Sequence, residues 1–158
     1  MDILFDTEKG RFSYRVAGLA VQGGKLLVQR AKGDGGLAIP GGHVAFGETA
    51  EEALRREFRE ELGLQAETGE LAAVGEVFFN WNGPCQQIAL YYRVSLDVEP
   101  WEGPRYGFDE NGRVRDAVEF LWVPVEAVRR GELLLYPPEL ALHLTGKGTL
   151  HFVSNQLE

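Results

Sequence analysis

Apolar and polar positions change rhythm several times along these 158 residues, and each change marks an element. Residues 1–12 mix charged and apolar side chains without a period, which predicts a loose N-terminal lead-in. Tyr14 to Val21 is apolar enough for a buried strand, Gly23-Gly24 supplies a two-residue hairpin turn, and Lys25 to Arg30 forms the partner strand. The glycine-rich stretch from Ala31 to Gly36 predicts a mobile surface loop, after which Leu37 to Ile39 extends toward Pro40-Gly41-Gly42. There the period lengthens: Ala50, Leu54, Phe58 and Leu62 recur every four residues and predict a helix with one apolar stripe. Thr49 caps that helix, Glu52 completes a capping box, and Gly63 stops it in left-handed backbone.

Strand character returns in Leu71 to Trp81 and Gln87 to Val98, on either side of the turn residues Asn82-Gly83-Pro84. Residues 99–117 hold several glycines and prolines with three aromatics, and predict a long irregular loop of the kind more often functional than accidental. Val118 to Val123 is a further strand, and Pro124 opens a short helix through Arg130 that Gly131 ends. Pro137 to Leu144 predicts a last helix and Leu150 to Val153 a last strand. Strands around one long helix define a mixed α/β class, and the length suits one domain over residues 1–158.

The charges on the helix are unevenly placed. At about 100° per residue, Glu51, Glu52, Arg55 and Arg59 fall on the side away from Ala50 and Ala53, where Glu51–Arg55 and Glu52–Arg56 make four-residue ion pairs. Glu61, however, falls about 20° from Leu54 and Glu57 about 60°, inside or beside the apolar stripe, with Glu60 next to them. A Glu-rich helix usually presents a solvated face. Three carboxylates crowded onto a buried edge repel one another and resist desolvation, so a solvated face does not explain them. A hard divalent cation does, magnesium being the common one where phosphates are handled. Pro40-Gly41-Gly42 leaves the preceding backbone bare, so that it can approach a metal or phosphate closely.

Composition narrows the partners. The formal net charge of −8 argues against nucleic acid or an acidic membrane held by bulk electrostatics, so a phosphate-bearing ligand needs a local metal or arginines. The lone Cys85 excludes an internal disulfide and suits a reducing cytoplasm. No signal peptide, membrane-length apolar run or internal repeat is present in the sequence.

Gly42, then Glu48 after five residues, then Arg56-Glu57 after seven, Phe58, Glu60-Glu61, Gly63 and Leu64 together resemble the Nudix box over its full length. Phe58 stands where an aliphatic residue is commoner, and Leu37 stands where a tryptophan is frequent three residues before the Pro-Gly-Gly. The resemblance covers about residues 13–154 and implies an α/β/α sandwich with a mixed sheet. It implies a hydrolase that splits a phosphoanhydride in a nucleoside diphosphate linked to another group, such as ADP-ribose or a nucleoside triphosphate. Glu57, Glu60, Glu61 and the Gly42 carbonyl would hold Mg²⁺, with Mn²⁺ as a substitute and Glu48 in a supporting position within reach of the metal. Arg56 would orient a carboxylate, so the catalytic set is Arg56, Glu57, Glu60 and Glu61. Glu119 stands where some relatives carry a further acidic ligand or base, with Asp116 as its rival.

Outside the box, Arg15 and Arg30 lie at strand ends as candidate phosphate contacts, although such arginines are usually only surface charges. Among the aromatics Phe78, Phe79, Trp81, Trp101, Tyr106 and Phe108, the first two suit a core. Trp81 beside a turn and Tyr106 in the long loop are the better candidates for stacking on a base. His43 follows the glycines and could touch a phosphate, whereas His143 and His151 suit structural roles. The expected partner is a small nucleotide, with no nucleic acid and no membrane; a homodimer is left open. The competing function is a nucleotide-sensing module without catalysis, which would have lost some of these glutamates. An isomerase on the same fold would need an acid–base pair that is not identifiable here.

Overall fold

The computed structural model describes residues 1–32 and 36–157. Much of the glycine-rich stretch expected to form a mobile loop, residues 33–35, lies outside the described residues. The described strands form one mixed sheet. Strand β2 (Gly10–Gln22) turns at Gly23-Gly24 into β3 (Lys25–Ala31), and β4 (Leu37–Ala38) and β5 (Gly41–His43) follow as short pieces. After helix α1 (Ala50–Leu62), the long antiparallel pair β6 (Ala66–Asn80) and β7 (Pro84–Leu96) returns to the sheet, where β7 lies parallel to β2. Strands β8 (Arg105–Phe108) and β9 (Val114–Pro124) pair with each other, and β9 also covers β3. The chain ends with helix α2 (Val125–Arg129), β10 (Leu135–Tyr136), a 3₁₀ turn over Pro138–Leu142 and β11 (Leu150–Asn155), which is parallel to β6.

Alternation along β2 and β3 sends residues to two separate cores, one on each face of the sheet. Val16, Ala20 and Leu27 pack with Ala53, Leu54 and Phe58 of α1, while Ala17, Leu19 and Val28 pack with Val125, Val128 and Leu140. Helices on both faces of a mixed sheet are the sandwich that the sequence implies. Among the described residues no helix is long and apolar enough to cross a membrane.

Two segments are more ordered than the sequence suggests. Residues 1–12 are not a loose lead-in: Leu4–Thr7 forms strand β1 against the start of β2. Thr7 Oγ1 binds Gly10 N and O, Asp6 pairs with Arg11 at 2.8 Å, and the Phe5 and Phe12 rings stand 5.5 Å apart. Nor are residues 99–117 an irregular loop, since the β8–β9 hairpin occupies much of them around a turn in which Asp109 Oδ1 accepts from Asn111 N and Arg113 N. Trp101 is buried edge-to-face on Trp122 and donates to Phe120 O, so it serves the core and not a ligand. The expected last helix is only a 3₁₀ turn, because the chain leaves helical backbone at His143 (φ −127°), whose N–H bonds Leu140 O in the tight three-residue pattern.

Candidate active site

Helix α1 delivers the site, and its ends explain how. Thr49 Oγ1 accepts from Glu52 N at 3.2 Å; no hydrogen bond returns from the Glu52 carboxylate, so the box is a simple cap. At the other end Gly63 adopts φ 65°, and its N–H reaches Arg59 O. Ala50, Ala53, Leu54 and Phe58 are buried, and this fixes the helix rotation. That rotation leaves Glu57 and Glu61 little water, with side chains only 15% and 22% exposed, whereas Glu60 is 47% exposed.

Glycine sets how close the loop lies to the helix. A Cβ on Gly42 would fall 2.3 Å from the Glu57 carboxyl carbon, so only a glycine here lets the carboxylate rest against the backbone. Gly41 is equally constrained, its Cβ position lying 2.0 Å from Val16 O. The bare backbone foreseen as an approach route for a ligand thus accommodates Glu57 first.

Arg56 is the organiser. Its Nε and Nη2 clamp Glu48 at 3.1 and 2.6 Å, its Nη1 donates to Glu57 at 2.9 Å and to Glu60 at 3.3 Å, and Nη2 also reaches His43 O. The expected Glu52–Arg56 pair is therefore absent, displaced by carboxylates that reach Arg56 from the loop and from its own face. Glu51–Arg55 forms at 3.8 Å. The hydrogen bond from Arg56 holds Glu48 below the usual carboxylate range. Burial does the opposite to Glu57, and it pushes Glu61 up to about 7, helped by the neighbouring Glu57 charge. Glu57 and Glu61 act on each other electrostatically, and poor solvation opposes the ionisation of both. Arg115 of β9 stands 3.9 Å from Glu61 and was not singled out in the sequence.

A cavity of about 570 Å³ is lined by Arg15, Phe79, Trp81, Gln87, Tyr91 and Tyr136, among others, and by none of the helix carboxylates. Arg15 connects the two: its Nη2 donates to Ile39 O at 2.8 Å, and its charge lowers the pKa of Glu61. Trp81, 67% exposed, lines the cavity. The other candidates lie elsewhere. Arg30 and Glu119 bind each other at 2.8 Å, so neither joins the helix carboxylates. Asp116 is exposed on β9, and Tyr106 lies under Lys32 and does not line the cavity. Burial, and then the Arg15 charge, push the His43 imidazole below its ordinary value. A second cavity of about 570 Å³, on the outer side of α1 around Arg55, Thr68 and Asp97, contains none of the candidate residues.

These features define a mixed α/β protein that presents a carboxylate-bearing loop and helix to a ligand cavity. A NUDIX domain model matches residues 13–141. A protein of Haemophilus influenzae named 8-oxo-dGTP diphosphatase is 33% identical over 115 residues, which are 71% of this chain and 72% of that one. Among solved structures, a NUDIX hydrolase from Nitrosomonas europaea superposes with a TM-score of 0.61 at 16% identity, covering 98% of this chain and 94% of its own. The MutT protein from Methanosarcina mazei Go1 gives 0.61 at 22% identity over 88% and 96%. The chain belongs to the Nudix family and is a Nudix hydrolase.

Nudix hydrolases generally need a divalent cation. Hard carboxylate oxygens beside a backbone cleared of side chain suit such an ion. Among the described residues no three His, Cys, Asp or Glu side chains already stand as a closed metal cage. Glu57 and Glu61 act on each other, while Glu60 is turned onto Arg56.

Proposed function

We propose that this protein hydrolyses a phosphoanhydride bond of a nucleoside diphosphate linked to a further phosphate or other group, with Mg²⁺ or Mn²⁺ as its cation. The observation that carries this reading is the poorly solvated Glu57–Glu61 pair of helix α1, with the Glu57 carboxylate resting against Gly42. Glu57, Glu61, Glu60 and the Gly42 carbonyl would hold the ion. When bound, it neutralises the diphosphate and lowers the pKa of a coordinated water. Arg56 fixes the direction of Glu57 and Glu60, and Arg15, anchored on Ile39 O, orients the phosphates at the junction of cavity and carboxylates. One of the helix glutamates, or a loop carboxylate, accepts the proton of the attacking water as its oxygen bonds to phosphorus. The phosphorus–oxygen bond of the anhydride breaks and the leaving phosphate departs with the electron pair. No Ser, Cys or His nucleophile is required.

A panel of nucleoside triphosphates, 8-oxo-dGTP among the first because a relative carries that name, together with ADP-ribose and dinucleoside polyphosphates, tests the reading by release of phosphate or pyrophosphate. Chelation should abolish release. Glu60→Gln and Glu61→Gln should each lower turnover by roughly a thousandfold while changing affinity far less. Full activity of both variants in Mg²⁺ would place the chemistry elsewhere.

A further inference from the structure

Two hydroxyls of the cavity are used neither by the fold nor by the hydrolytic chemistry. Tyr91, on the central strand β7, is only 3% exposed and lines the cavity. Burial pushes its phenol up to about 12. Ser154, on β11, is 0% exposed, lines the same cavity, and its Oγ has no partner. Their positions are linked: the Tyr91 ring lies 6.0 Å from that of Phe152, and Phe152 and Ser154 share one face of β11. Buried hydroxyls are almost always satisfied, so the orphaned Ser154 Oγ behind a cavity that Tyr91 also lines needs an explanation outside the apo fold.

The rest of the lining indicates what would satisfy them. Gln87, held by its amide on Ser13 Oγ at 3.0 Å, Asn80 and Gln156 add neutral groups that both donate and accept. Trp81 and Tyr136 give flat faces at the rim, and Arg15 is the one charged side chain in the described lining. A flat, uncharged ring with a polar edge fits this set, and the phosphates fit the end at Arg15. We propose that the Tyr91 and Ser154 hydroxyls determine base specificity, hydrogen-bonding the polar edge of the nucleobase while the phosphates run past Arg15 to the carboxylates. Tyr91 is the outer contact. Ser154 Oγ is sealed beneath the cavity wall, so a base meets it through a rotamer change or a bridging water. The proposal rests on the nucleotide-hydrolase reading above, and it concerns residues that this reading does not need.

The test is kcat/KM with Mg²⁺ on dGTP, 8-oxo-dGTP, dATP, dCTP, dTTP and ADP-ribose for wild type, Tyr91→Phe and Ser154→Ala, alongside thermal melts. Tyr91→Phe should lose about tenfold on the preferred nucleotide, mostly through KM, and little on the poor ones, so that base discrimination narrows. Ser154→Ala should act in the same direction and less, and Ser154→Thr, which keeps the hydroxyl, should retain the ranking. Neither deletion should lower Tm, since the fold uses neither hydroxyl. An unmoved ranking in both deletions, or a lower Tm with equal loss on every nucleotide, would overturn the assignment while leaving the hydrolase reading intact. A wild type that cleaves none of the six compounds would overturn both.

Discussion

Helix α1 and the loop leading into it carry two groups of carboxylates, and they sit in opposite electrostatic conditions. On the Arg56 side, Glu48 receives a two-pronged guanidinium clamp and a backbone N–H from Ala45, and its pKa falls. On the other side, Glu57 and Glu61 share poor solvation and each other's charge, and their pKa values rise. The first arrangement serves the fold, because every charge has a partner. The second opposes the fold, because Arg56 gives Glu57 only one bond and Arg115 reaches Glu61 only at 3.9 Å. Such an arrangement persists when a ligand supplies what the protein withholds.

Removing the organiser should have the largest effect on stability. Arg56→Ala strands Glu48 and Glu57 with little water and no cation, and should destabilise by roughly 1–2 kcal/mol in urea titrations. Arg56→Lys should recover only part of this, since an ammonium cannot hold Glu48 at two points. Equal stability of the alanine variant would show the clamp to be ornamental.

The two groups should also respond oppositely to pH in chelator. Glu48 titrates below its ordinary 4.5 in the folded chain, so its contribution is present above that pH and is lost as pH falls through the folded value. Glu61 titrates near 7 against 4.5, so its contribution is complete below 4.5 and is lost as pH rises through 7. Stability should therefore decline on both sides, by on the order of 1 kcal/mol on the neutral side. Glu48→Gln should flatten the acid limb and Glu61→Gln the neutral one. A neutral limb unchanged by Glu61→Gln would place its cause elsewhere.

The smallest effect belongs to the outer face. Glu51→Ala breaks an exposed pair of 3.8 Å and a bond from Thr68, and should change stability by no more than about 0.5 kcal/mol.

Much of this was legible in the sequence because it is local. The caps of α1, its stripe and the misplaced glutamates follow from spacing along one helix, and Gly42 from the need for close approach. What escaped was non-local. Glu52–Arg56 has ideal spacing, yet Glu48 reaches Arg56 from the preceding loop and prevails with two bonds. The β8–β9 hairpin is short and its register shifts at Tyr106/Gly107, which erases the alternation that would announce a strand. Tyr91 and Ser154 occupy inward positions of ordinary strands and resemble core. Only the three-dimensional neighbourhood shows that the Ser154 hydroxyl lacks a partner and that both residues line one cavity.

The central claim is that Glu57 and Glu61 are held together against their own charge for the sake of a cation. Thermal melts of wild type and Glu61→Gln, in chelator and then in rising Mg²⁺, test it most directly. The account predicts that the variant melts above wild type in chelator, because like-charge repulsion is relieved, and that Mg²⁺ raises wild type more until the gap closes or reverses. A variant that melts below wild type in chelator, with Mg²⁺ raising both equally, would contradict it.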